Sequence, residues 1–245
     1  ISLTENEGNA RLSTSIPKIH IAVAGIERII PSIHDLALFL PLLSTAGTGQ
    51  NITTYNTLFF GPKRNEEMDG PEKMYVVLLD NGRTNLLAAP DQKEALACIR
   101  CGACLNACPV YKNIGGHTYN TVYNGPIGAV ITPFMKGFDE FAHLSYATSL
   151  CGSCSSVCPV KIPLDDLLLK NKHHHTEKYK TSKFERFVWK NVSLFLTKRN
   201  LMNFGSAAMK NALAKIALKN SWNKRKSPIK MAKKSFNQQW KEKYK

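Results

Sequence analysis

CIRCGACLNACPV, residues 98–110, is the stretch from which the rest of the chain is best read. Its spacing, Cys98-x2-Cys101-x2-Cys104-x3-Cys108-Pro109, is that of bacterial ferredoxins holding a [4Fe–4S] cluster. Three closely spaced thiolates wrap one face of a cubane, and the fourth cysteine turns away to ligate a neighbouring cluster. Pro109 breaks the local helix and directs the chain outward. A second stretch, CGSCSSVCPV at 151–160, repeats the last three cysteines and the proline, with Thr148 where the first cysteine would fall. Under the same exchange, Cys98, Cys101, Cys104 and Cys158 complete one [4Fe–4S] cluster, and Cys108, Cys151 and Cys154 are left for a second. A hydroxyl is a poor iron ligand, so three outcomes stand open at Thr148. The second cluster is a [3Fe–4S], or a [4Fe–4S] with a non-cysteine ligand or an open iron, or it borrows a ligand, with His143 and His117 the local candidates.

Pairs of CxxC also build zinc sites, but zinc takes four ligands per tetrahedron, and seven cysteines make one complete site and one incomplete one. The full run ending in Cys-Pro is far more specific to iron–sulfur chemistry than a lone CxxC. All seven cysteines fall within residues 98–158. An odd number in two tight groups is a poor disulfide framework.

Working outward, three segments emerge. Residues 91–170 form the cluster segment. Pro90 and Asp91 open a short helix, DQKEALACIR, that delivers Cys98. The span 98–163 has little periodic structure and much Gly and Pro, as expected where metal sites replace part of an apolar core. IPLDDLLLK (162–170) reads as a short amphipathic helix.

Residues 1–90 read as α/β. KIHIAVAGI (18–26) has the pattern of a buried strand, and Ser32 is placed to cap a helix through about Leu40. Gly and Thr cluster in STAGTGQNITTY (44–55); LFFGP (58–62) and MYVVLLDNGR (74–83) follow, the second a strand stopped by Asn81-Gly82. A segment of this size, starting at Ile1 with residues that already look internal, is expected to be part of a longer domain.

Residues 171–245 are basic and helical in pattern, with Phe184, Phe187 and Val188, then Leu194 and Phe195, at helical spacing. SAAMKNALAKIALK (206–219) is a helix signal, and KSFNQQWKEKYK is expected to form an amphipathic helix docking through Phe236 and Trp240. From Lys170 onward there are 21 Lys and Arg against 3 Asp and Glu; the residues before it carry 12 against 15. The formal charge of +15 therefore belongs to the C-terminal region. Such a region serves as a solubilising face, or meets an acidic partner, anionic lipid or nucleic acid. No basic start followed by an apolar core opens the chain, and DLALFLPLL (35–43) is short and carries Pro41. The expected compartment is the cytoplasm, with contact at the inner membrane face left open.

YKNIGGHTYNTVYNGPIGAVITP (111–133) has no phosphate-loop lysine or dinucleotide fingerprint. Gly115-Gly116 read as a sharp turn or a close approach to a cluster, and His117 as a candidate hydrogen-bond donor to sulfur. AGTGQNITTY (46–55) reads as a turn in preference to an anion loop, the same choice facing Asn6, Gly8 and Asn9. The three histidines at 173–175 read as solvated surface.

CIRCGACLNACPVYKNIGGHTYNTVYNGPIGAVITP (98–133) with SLCGSCSSVCPVKIPLDDLL (149–168) resembles the LutB/LldF-type iron–sulfur subunits of bacterial L-lactate utilization. TENEGNARLSTSIPKIHIAVAGIERIIP (4–31), TGQNITTY (48–55) and DGPEKMYVVLLDNGR (69–83) are similar to the LUD domain of that family, and Trp222, Pro228 and KSFNQQWKE to its C-terminal region. The resemblance implies an α+β chain. A partial α/β LUD domain of CoA-transferase-like fold would be followed by an α-helical two-cluster ferredoxin-like domain and the helical basic region. It implies that the family's seven cluster cysteines map one for one onto the seven here, with three for the second cluster. It also implies two partners, a cysteine-rich heterodisulfide-reductase-like subunit and a second LUD protein, acting together to oxidise L-lactate to pyruvate.

The expected function is thus electron transfer within a lactate-oxidising complex, with no catalytic residue of the chain's own. Three rivals are a subunit of a related redox complex with another substrate, a catalytic subunit using an open iron, and an iron–sulfur protein that binds nucleic acid through its basic tail.

Overall fold

Two separate two-stranded sheets carry the first 79 residues. In the computed structural model, which describes residues 1–4, 8–53, 55–178, 183–219, 222–224 and 226–244, the chain divides into two units, Ile1–Lys180 and Thr181–Lys245. The first unit opens with β1 (Ser2–Thr4), α1 (Gly8–Ser15) and β2 (Ile19–Gly25). After α2 (Leu36–Thr48) come β3 (Asn56–Leu58) and β4 (Lys73–Leu79). β1 pairs antiparallel with β3, Leu3 opposite Thr57. β2 pairs parallel with β4, Ile19 opposite Lys73 through to Gly25 opposite Leu79, with α2 in the crossover between them.

Both long strands lie where their β-branched runs predict, but they are not buried. Ile19, Ile21, Val23, Val77 and Leu79 are all exposed, because this parallel pair has only two strands. Ser32 does cap, through a reciprocal box with Asp35, a 3-10 turn (Ile33–Asp35) that leads directly into α2. The helix runs on through Pro41 to Thr48 and ends at Gly49, whose φ of 76° lies in the left-handed region. It thus takes in residues 46–48, expected as part of a turn. Asn6 and Thr54 lie outside the described residues.

Asn81-Gly82 turns the chain into α3 (Arg83–Leu87), and a 3-10 turn, Lys93–Ala97, leads to Cys98. Next come α4 (Ala103–Ala107), α5 (Pro109–Ile114), α6 (Gly125–Lys136), α7 (Phe138–Phe141), a 3-10 turn at Ala142–Tyr146, α8 (Ser153–Ser156) and α9 (Leu164–Lys178). The core centres on α6, whose Ile127, Val130 and Ile131 pack with Leu86, Leu144, Leu164, Leu167 and Leu168. This buried helix lies where the sequence shows little periodicity, and with its neighbours it makes the cluster segment helical, as the resemblance implies. α9 also exceeds its expected length and absorbs the three histidines. His174 packs on Phe134 and Phe138, with ring centroids 6.0 and 4.7 Å away, so the tract is not simply solvated.

The second unit holds α10 (Lys183–Thr197), α11 (Arg199–Asn203), α12 (Ala207–Ala217) and α13 (Phe236–Tyr244). Ser206 caps α12 by accepting the Met209 N–H at 3.2 Å. Within α13, Phe236 and Trp240 lie side by side, ring centroids 5.8 Å apart and planes tilted by 37°. The side chains of Phe184 and Trp222 lie outside the described residues.

Candidate metal centre

Two copies of one local design shape the thiol loops. In the first, Arg100 (φ 63°) and Gly102 (φ 80°) bracket Cys101, and α4 carries Cys104 inward. In the second, Leu150 (φ 52°) and Gly152 (φ 76°) bracket Cys151, and α8 carries Cys154 inward. Glycine takes the left-handed region freely; Arg100 and Leu150 adopt it at a steric cost that the surrounding loop must offset. The loop entries match as well. The Arg100 N–H donates to Cys98 Sγ at 3.4 Å, and the Leu150 N–H donates to Thr148 Oγ1 at 3.0 Å. Thr148 therefore keeps the turn that Cys98 makes, with a hydroxyl where the first loop has a thiol.

α4 packs on α8, and the two loops share one core through Cys104, Cys154 and Cys158. A cavity of about 150 Å³ is lined by Cys98, Cys101, Cys104 and Cys158, with Arg100 and Tyr123 in its wall. A second, about 10 Å³, is lined by Cys108, Cys151 and Cys154, with Thr148 and Asp165. Each cavity thus draws thiols from both cysteine runs. Neither His143 nor His117 lines the second: His143 Nδ1 sits 2.7 Å from the Glu140 carbonyl, and His117 is exposed on a separate 3-10 turn.

The donor chemistry suits a polynuclear group. Four thiols stand around the larger cavity and three around the smaller. Backbone N–H groups of Tyr111 and Ile162 point at Cys108 and Cys158 sulfurs, each at 3.4 Å, an arrangement that favours thiolate. The larger cavity offers a cluster four thiols, and the smaller offers three, of which Cys151 is exposed. Burial pushes the Cys104 thiol up to about 12 and raises Cys98 and Cys154. Hydrogen bonds from Ser153 bring Cys151 down to about 7. Metal uptake must therefore displace protons from the buried thiols.

Beside the larger cavity lies a charged network that spacing alone does not reveal. Arg83 pairs with Glu27 through Nε, donates to Tyr123 Oη at 3.0 Å, and is buried like its partner, each side chain 4% exposed. Arg100 Nη2 stands 3.8 Å and Arg28 Nε 3.9 Å from the same carboxylate. The Arg100 guanidinium also lies over the Tyr123 ring, 4.1 Å from its centroid. Gly25 is required beside this network, since a Cβ there would lie 2.1 Å from Glu27 Oε2 and 2.5 Å from Arg83 Nε.

The LUD domain family matches residues 1–79, and the 4Fe-4S dicluster domain family matches residues 94–162. Lactate utilization protein B of Shouchella clausii (strain KSM-K16) is 47% identical over 194 residues, covering 79% of this chain and 41% of its own. The protein of that name in Bacillus subtilis (strain 168) is 45% identical over 207 residues, 84% of this chain and 43% of its own. This chain is a relative of the Lactate utilization B proteins. The Geobacillus thermodenitrificans (strain NG80-2) protein extends the match to 94% of the chain at 42% identity, with 48% of its own length covered. The chain spans a little under half the length of these Lactate utilization B relatives. No solved structure gives a significant match. A LUD segment followed by a ferredoxin-like dicluster domain makes this an iron–sulfur chain whose clusters are held by cysteines.

Proposed function

We propose that this chain is the electron-transfer iron–sulfur part of a complex that oxidises L-lactate to pyruvate. One observation carries the reading: two cavities, each walled by thiols from both cysteine runs, the arrangement that ligand exchange between paired clusters requires. On this reading Cys98, Cys101, Cys104 and Cys158 hold a [4Fe–4S] cluster. Cys108, Cys151 and Cys154 hold a second cluster, [3Fe–4S] or [4Fe–4S] with an open iron or non-cysteine ligand; Thr148 at the fourth position favours the [3Fe–4S] form. When bound, the clusters supply one-electron exchange. The chain's own residues orient the thiols, donate N–H groups to sulfur, and bury Cys104, Cys108, Cys154 and Cys158 from water.

The domain division that goes with this reading is a LUD segment at 1–90, a cluster domain at 91–170 and a basic helical region at 171–245. The relatives' name supports a place in lactate utilization. The partners it implies are a cysteine-rich heterodisulfide-reductase-like subunit, which would bring the lactate chemistry, and a second LUD protein. The compartment is the cytoplasm, with the inner membrane face a surface the basic region can meet. Among the described residues no helix is long and apolar enough to cross a membrane.

Anaerobic mixing tests this function. With clusters reconstituted, L-lactate should bleach the visible absorption only when the partner subunits are present. Bleaching by lactate in this chain alone would move catalysis to an open iron here, and no bleaching in the full mixture would refute the lactate reading.

A further inference from the structure

The two thiol cavities differ in the sign of the charge around them. The larger has Arg100 in its wall, 20% exposed, with Arg83 and Arg28 behind it, Glu27 beside all three and Asp80 also acting on Arg83. The buried Arg83–Glu27 pair cancels, which leaves Arg100 and Arg28 as net positive charge. Arg28 also donates through Nη1 to the Cys98 carbonyl at 3.3 Å. The smaller cavity has no Lys or Arg in its lining and one carboxylate, Asp165, fixed by the Ser155 hydroxyl and backed by its own N–H to Ser155 Oγ at 3.2 Å.

We infer that these side chains shift the two potentials in opposite directions, Arg28 and Arg100 raising that of a cluster at Cys98, Cys101, Cys104 and Cys158, and Asp165 lowering that of one at Cys108, Cys151 and Cys154. The inference rests on the ligand assignment proposed above. Reduction adds one negative charge to a cluster. Fixed cations in a low-dielectric wall therefore favour the reduced form, and a fixed carboxylate disfavours it. Guanidinium stays charged across the working pH range, so the bias is permanent. The same network ties the LUD segment to the cluster loop, since Glu27 and Arg28 follow β2, Arg83 opens α3, and Arg100 sits between the first two cysteines. The arginines thus favour electron uptake at the first site, while Asp165 opposes it at the second; cluster type adds its own contribution to each potential.

The test is a redox titration followed by low-temperature EPR, with iron and sulfide counted, on reconstituted wild type and on Arg100→Gln, Arg100→Lys and Asp165→Asn. Arg100→Gln should move the wave of the first cluster to more negative potential by a tenfold change in its reduction equilibrium, about 59 mV for one electron. Its iron content should hold and the other wave should stay in place. Arg100→Lys should stay near wild type, and Asp165→Asn should move the second wave the opposite way. If Arg100→Gln fails to hold its cluster, the more exposed Arg28 (37%) carries the test as Arg28→Gln, with a smaller shift of the same sign. Unmoved waves at full iron content would overturn the inference and leave the ligand assignment standing. Iron lost on Asp165→Asn alone would make that residue a ligand and overturn its part in the inference. No clusters in wild type would overturn both.

Discussion

A hydroxyl at Thr148 holds the second loop in the shape that Cys98 gives the first, through the same N–H donated from two residues on. Thr148→Cys should therefore be tolerated by the backbone and supply the absent thiolate. Iron should rise from about seven to about eight per chain, and the oxidised [3Fe–4S] EPR signal should vanish. The repeat was visible as spacing, and spacing named all seven thiols. It could not show Glu27, Arg83 and Arg100, whose meeting depends on tertiary contact across 56 residues between the first two. His174 makes a second prediction at this scale. Burial against Phe134 and Phe138 lowers its pKa, Lys178 adding to the effect and Glu177 opposing it. The fold favours the neutral ring, so its contribution is whole above the ordinary value of about 6.5 and is lost as pH falls from there toward the folded value. Urea denaturation at pH 7.5 and 5.5 should show wild type losing more stability on acidification than His174→Phe.

At the scale of elements, α6 explains why the middle of the chain was hard to read. GPIGAVITPFMK contains two glycines and two prolines, and its apolar residues run continuously instead of marking one face. Proline 126 opens the helix, while Pro133 lies inside it and has no N–H for the Ala129 carbonyl. Two residues outside the helix repair that gap. The Ser145 hydroxyl donates to Ala129 O at 3.0 Å, and the fully buried Asn171 donates to Val130 O at 3.0 Å and to Ser145 Oγ at 3.1 Å. A helix forms here because its neighbours complete its hydrogen bonds, information no local window holds. Asn171→Ala should cost about 1–3 kcal/mol. The cost of Ser145→Ala should shrink in a Pro133→Ala background, where the helix regains its donor; a double-mutant cycle in urea would read the coupling.

Across the whole molecule, iron–sulfur chemistry and charge occupy different parts of the chain. Every cysteine lies in the first unit, while the basic excess lies from Lys170 onward. Where metal sites stand in for apolar core, their removal unfolds what they organise. Chelating the iron should lower the melting temperature of the cluster domain and leave the helical circular dichroism of residues 181–245 in place. The exposed β2–β4 sheet belongs to this scale too: its strands were legible from their apolar runs, but their exposure was not, since cover depends on how many strands and layers surround them. The central claim is that the chain holds two clusters, one with four cysteine ligands and one with three. Low-temperature EPR of anaerobically reconstituted protein, oxidised and then reduced, with iron and sulfide counted, tests it most directly. The account predicts a near-isotropic signal in the oxidised sample, about seven irons per chain, and a second signal on reduction. Bound zinc without iron or sulfide would contradict it.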